Sequence, residues 1–210
     1  MAAGGAARVP LGNLGSPERA VDDTTERAID LQGFTRRGGL APLASISVPL
    51  AERTDLGVRV VSGALALALR HGIALQEKIQ LLGALRPYGG AVFIDDGQGG
   101  QSAVGPRLGV DTVWVLAIDV SGVFEAWAGA RAGVEHARCR LEGQDRFRAA
   151  LRGTLLRLGS LVGLGVGFRR LHLLMELGAD REWWWMGGDI EPEERTGFSL
   201  TPALALRLRF

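Results

Sequence analysis

Ten ionisable residues of this chain recur at even spacing inside otherwise apolar runs: Arg59, Arg70, Arg107, Asp111, Glu125, Arg131, Glu135, Arg170, Glu176 and Asp180. Arginines and carboxylates on a shared face do one of two things. They pair across neighbouring segments into a salt-bridged plug, or they line a water-filled, ion-selective path. Other chemistry is poorly supported. His172 shares a face with Arg170 and Glu176, whereas His71 lies on an apolar face, so no set of metal ligands converges and His172 reads as a hydrogen-bonded structural residue. Cys139 stands between Arg138 and Arg140, which favours a thiolate, yet no general base lies at a recognisable spacing. Ser160 and Ser199 have no histidine partner, and GLGVGF (163–168) lacks the Lys-Ser/Thr that completes a phosphate-binding loop. No catalysis, no metal and no cofactor are expected.

The elements that carry these residues alternate with a period of two from about Leu40 onward. Leu65, Leu67, Leu69, His71 and Ile73 share one side of their run, and Ala64, Ala66, Ala68, Arg70 and Gly72 share the other. Val104 to Leu116 sets Pro106, Leu108, Val110, Thr112 and Trp114 against Arg107, Gly109 and Asp111. In 124–134, Ala126, Ala128, Ala130 and Ala132 oppose Glu125 and Arg131. The run RAALRGTLLRLGSLV also passes as an amphipathic helix, but glycines at 153, 159, 163, 165 and 167 favour a strand, since each costs about 1 kcal/mol in a helix interior. Nine such segments follow Leu40, and AIDLQGF (28–34) is the best candidate for a tenth. The expected architecture is all-β, an antiparallel up-and-down transmembrane β-barrel of about ten strands, with eight or twelve as alternatives. Residues 1–25 read as a disordered polar tail, and 26–210 as the barrel domain.

Four features place the apolar face outside. Many segments run 11 to about 18 residues, whereas strands of soluble proteins average about 5–6. Trp183, Trp184 and Trp185, with Phe210, sit at segment ends, as membrane-interface anchors do. Charges facing lipid at the midplane would cost about 2–4 kcal/mol each, so the ten residues above belong in the lumen. The longer polar connections at 95–102, 141–146 and 187–196 fall at the end opposite Phe210, while the turns at AERT, ALQE and DVSG fall at its own end. A net charge of +1 gives no bulk attraction to nucleic acid, and one cysteine excludes an internal disulfide framework. No run is long and charge-free enough for a transmembrane helix, and the first residues lack the basic and apolar regions of a secretory signal peptide.

The terminal run SLTPALALRLRF, with Leu204, Leu206, Leu208 and Phe210 at every second position, resembles the C-terminal assembly signal of Gram-negative outer-membrane β-barrel proteins. That resemblance implies a cell outer membrane location, contact with outer-membrane lipid, and recognition by the barrel-assembly machinery through strand addition. It fits a small barrel with a structural or narrow-channel, porin-like role. The alternative is a soluble lipocalin-like barrel or sandwich that buries its apolar face and binds a small apolar ligand.

Overall fold

A computed structural model describes residues 2–12, 39–61, 64–95, 102–120, 123–142, 148–168, 171–189 and 192–208. The chain is all-β. Nine strands follow one another in an antiparallel meander: β2 (Gly39–Ala51), β3 (Thr54–Val61), β4 (Ala64–Gln76), β5 (Ile79–Asp95), β6 (Ser102–Val120), β7 (Phe124–Glu142), β8 (Arg148–Phe168), β9 (Leu171–Gly188) and β10 (Glu193–Leu208). A further strand, β1 (Ala2–Gly12), is hydrogen-bonded to β10 on one side and to β2 on the other, so the strand order returns on itself. The strand at 2–12 differs from the disordered tail expected over 1–25. AAGGAARVPLG offers little contrast between its two faces, and its extended backbone is held by ladders to β10 and β2 rather than by an apolar stripe. The expected strand at 28–34 lies outside the described residues.

Strand lengths range from 8 residues in β3 to 21 in β8. Two or three residues separate the strands at one end: 52–53, 77–78, 121–123 and 169–170. At the opposite end the intervals 96–101, 143–147 and 189–192 are longer, with 62–63 the short exception. Ala2 and Leu208 lie at the short-turn end.

Alternation assigns the faces. On β10, Leu204, Leu206 and Leu208 are exposed on the outer side, whereas Ser199 is buried on the inner side. On β8, Leu158, Val162, Leu164 and Val166 point out, and Leu155, Arg157, Leu161 and Gly163 point in. The alanines of β7 at 126, 128, 130 and 132 also lie on the outer face. β4 keeps its leucines outside, and Ala64, Ala66 and Ala68 are buried inside. Most large exposed apolar residues lie on the outer face, while Leu151, Leu155, Leu161, Trp184 and Met186 are buried inside.

β5 shows why alternation fades in places. Its outward positions 83 and 89 are glycines, and the apolar surface there comes from β6: the Trp114 ring covers Gly83 and Leu108 covers Gly89. The pattern is completed by a neighbouring strand that the local sequence does not contain.

Pairing of β1 with β10 has a direct chemical check. Ala3 and Leu206 are cross-strand partners, and antiparallel partners stand about 4.5–5.5 Å apart at Cα, within disulfide range. A chain carrying Ala3→Cys and Leu206→Cys, with Cys139→Ser, should form an intramolecular disulfide under mild oxidation and migrate faster on non-reducing gels. Moving the second cysteine to Ala205 puts it on the opposite face and should abolish the shift.

Candidate functional site

The inner face of β5 to β9 holds a set of polar bridges built on one rule: they join strands two apart and pass over a glycine between them. Trp127 on β7 donates its indole Nε1–H to Glu176 on β9 (3.1 Å), above Gly163 of β8. Arg131 on β7 pairs with Asp180 on β9, donating from Nε at 2.6 Å and from Nη2, above Gly159. Arg157 on β8 reaches Asp111 on β6 at 2.5 Å, above Gly133 of β7. Tyr88 on β5 donates its hydroxyl to Glu135 on β7 at 2.9 Å, above Gly109 of β6.

The glycines are required by space. A Cβ at Gly163 would run into the indole ring of Trp127. At Gly133 it would meet both Asp111 and Arg157, and at Gly159 it would meet Asp180. A side chain on the middle strand would therefore separate the partners it lies beneath. Strand interiors normally disfavour glycine, and close approach of other groups is the usual reason for accepting it.

Further contacts complete the interior. Arg207 on β10 donates to Glu125 on β7 at 2.5 Å, and the fully buried His172 places Nε2 at 3.9 Å from the same carboxylate. Arg107 approaches Glu135 at 4.0 Å. Buried Glu182 accepts from Ser199 (2.6 Å) and from the Trp184 indole (2.9 Å). Arg131 also donates to Thr201 at 3.2 Å. Charge-assisted bonds of this kind are worth about 1.5–3 kcal/mol each when well formed. Removing one partner leaves a buried charge and costs more, about 3–5 kcal/mol.

Nine of the ten expected lumen residues fall within the described chain. Arg59, Arg107, Asp111, Glu125, Arg131, Glu135, Glu176 and Asp180 lie on the inner face of their strands. Two pairs form among them, Arg107–Glu135 and Arg131–Asp180. Arg70 is also inward but sits towards the short-turn end, half-exposed and paired with Asp55 at 2.5 Å. Arg170 and Phe210 lie outside the described residues. Sequence reading missed Arg86, Tyr88, Trp127, Arg157, Glu182 and Arg207 as partners. Knowing which residues cross over a glycine requires the strand register, which a single sequence does not state.

The tryptophan run needs one correction. β9 continues through it to Gly188, so its members alternate. Trp183 and Trp185 point outward, whereas Trp184 is buried on the inner face, bonded to Glu182, and is no membrane-interface anchor. Arg181 lies outward beside Trp183, with its guanidinium 5.8 Å from that ring and 4.8 Å from the ring of Phe198. Stacking on aromatic faces in this way shields a cation from an apolar surrounding. Cys139 is buried on the inner face of β7. Among the described residues no group of three or more His, Cys, Asp or Glu side chains converges as metal ligands do.

No family model matches the chain, and no curated protein does. Among solved structures it is similar to the CymD monoaromatic hydrocarbon channel, with 9% identity and a TM-score of 0.27, over 100% of this chain and 87% of that one. It is also similar to the outer membrane channel DcaP of Acinetobacter baumannii, with 7% identity and a TM-score of 0.20, over 98% and 96% of the two chains.

The glycine rule predicts a sharp contrast. Gly163→Val should push Trp127 off Glu176 and lower stability by about 1–3 kcal/mol, the usual range for overpacking a filled interior. Gly187, with nothing within 4 Å of an added Cβ, is the control: Gly187→Ala should stay within about 0.5 kcal/mol. Equilibrium urea unfolding of the two variants in detergent measures both.

Proposed function

We propose that this chain is a small, closed, ten-stranded outer-membrane β-barrel whose interior forms a narrow, porin-like path and carries out no catalysis. The observation that carries this reading is the inversion of faces: exposed leucines, valines and tryptophans outside, bonded arginines and carboxylates inside. A water-soluble sheet gains from the opposite arrangement, because burying apolar area is its main source of stability.

Dimensions support it. Phe124 and Phe168 are exposed on the outer face at the short-turn end, and Trp183 and Trp185 lie on that face towards the other end. Trp183 pairs with Leu156, twelve residues along β8 from Phe168. Twelve steps of about 3.3 Å on a strand tilted by about 40° span roughly 30 Å, the thickness of a bilayer's hydrocarbon core. Outward residues of β8 within that interval are Leu158, Ser160, Val162, Leu164 and Val166. The exposed outward arginines Arg138 and Arg152 are cross-strand partners beyond the tryptophan level.

The interior is uneven, and this favours a narrow path over a solid plug. The bridges and the polar contacts beside them crowd the wall made by β5 to β10. The wall of β2 to β4 carries small inward residues instead: Ser45, Ser47, Gly57, Ala64, Ala66 and Ala68. We read that side, bordered by Arg59 and Arg86, as the course of the path.

Three results test the reading. The folded chain should require detergent or lipid to stay in solution, and unboiled samples should run at a different position from boiled ones on gels. Leu164→Arg should destabilise the protein in lipid vesicles by about 2–4 kcal/mol. A chain that is monomeric and soluble without detergent sinks the proposal. Leu204, Leu206, Leu208 and Phe210 are proposed as the assembly signal. Deletion of Phe210 should reduce insertion by the barrel-assembly machinery in cells, read as loss of the heat-modifiable form, and normal insertion would remove that role.

A further inference from the structure

Almost every inward charge described above has a counter-charge or hydrogen-bonding partner; Arg59 and Arg86 do not. Arg59 points inward from β3 and Arg86 from β5, on either side of β4. The Nε of each is buried without a hydrogen-bond partner. Neither forms an ion pair among the described residues; Arg59 is repelled by Arg86 across β4, and both feel Asp111 and Glu176 only at a distance. Between them β4 presents only methyl groups, those of Ala64, Ala66 and Ala68. The carboxylates that face them from the far wall are engaged elsewhere: Asp111 with Arg157, Glu176 with the Trp127 indole, and Asp180 with Arg131. Tyr88, the inward residue two along from Arg86, is bound to Glu135.

Two guanidiniums flanking one strand, each with an unpartnered Nε and no carboxylate of its own, are a costly arrangement in a partly enclosed interior, since a buried charge is normally neutralised or paired. Arginine presents a planar fork of N–H donors that matches a two-oxygen face of an oxyanion. We propose that Arg59 and Arg86 form a binding site for one small oxyanion of the phosphate, sulfate or carboxylate class, seated over the alanine floor of β4. The inference rests on the inverted-barrel reading above, and it makes the path beside β4 selective for anions.

Sulfate is the probe. The full chain is folded in detergent and its thermal unfolding followed as sulfate replaces chloride at fixed ionic strength. Sulfate strengthens burial in all proteins by being excluded from their surfaces, which gives a linear rise. Binding at one site adds a saturable rise. The wild type should show the saturable component, and Arg59→Gln/Arg86→Gln should keep only the linear one. In sulfate-free buffer the double variant should be at least as stable as the wild type, because the repulsion is gone. Arg86→Lys, which keeps the charge and loses the fork, should weaken sulfate at least about tenfold, and it serves alone if the double variant does not fold. A purely linear wild-type response, or an unchanged saturable response in Arg86→Lys or the double variant, overturns the site. The gel-mobility shift in the same samples separates the two failures. A heat-modifiable barrel without the sulfate response removes the anion site only, whereas a soluble chain with no shift removes the membrane reading as well.

Discussion

The interior of this protein depends on polar side chains clasping across an intervening strand. Adjacent strands stand about 4.8 Å apart, so partners on alternate strands are roughly 9–10 Å apart at the backbone. Only long side chains close that gap, and only if nothing rises between them. Arginine, tryptophan, tyrosine and glutamate supply the reach, and glycine supplies the clearance. Gly109, Gly133, Gly159 and Gly163 are therefore as much part of the bridges as Tyr88, Asp111, Arg131 and Trp127. Each clasp also ties three consecutive strands into one unit, so β5 to β9 are joined by overlapping triplets in addition to their backbone ladders.

This arrangement resolves a tension in the composition. The chain has 31 glycines, yet glycine weakens a strand through backbone entropy and the loss of a packing side chain. Placed beneath a bridging pair, the missing side chain is replaced by one from next door, so contact is not lost. The bridges also explain why charged residues can be numerous without opening the sheet. Their partners remove the desolvation cost that an isolated interior charge would carry, and the ladder holds the geometry that such pairs need.

Much of the fold was legible in the residues themselves. Runs such as Leu171–Ala179 and Pro106–Leu116 alternate strictly enough to assign each position to a face, and the structure keeps those assignments. Nine strands follow Leu40, at the places where alternation occurs. Legibility failed where the information belonged to a neighbour. β1 is small on both sides, so only its partners reveal it as a strand. β5 lost its period because Trp114 and Leu108 cover its glycines. Arg157 sat in a run that also fits a helix, which left its face unassigned. Trp184 was readable in principle: extending the alternation of β9 two residues past Glu182 places it inside. The partners within the interior were not readable, because they depend on the register of three strands at once.

The meeting of β1 with β10 carries a kinetic consequence. Every other ladder joins neighbours in the chain, and those from β2 to β10 are hairpins that close short loops and gather quickly. This one joins residues 2–12 to residues 197–207, so it must wait until the strands between them have been arranged. Loop-closure entropy and long sequence separation make such a contact late and slow. Over Ala2–Ala7 the seam is lined on one side by AAGGAA, and its larger cross-strand partners, Val9 with Leu200 and Leu11 with Phe198, come only at the far end. Until it forms, β1 and β10 are bare edges of a nearly finished sheet, open to a strand donated by another molecule.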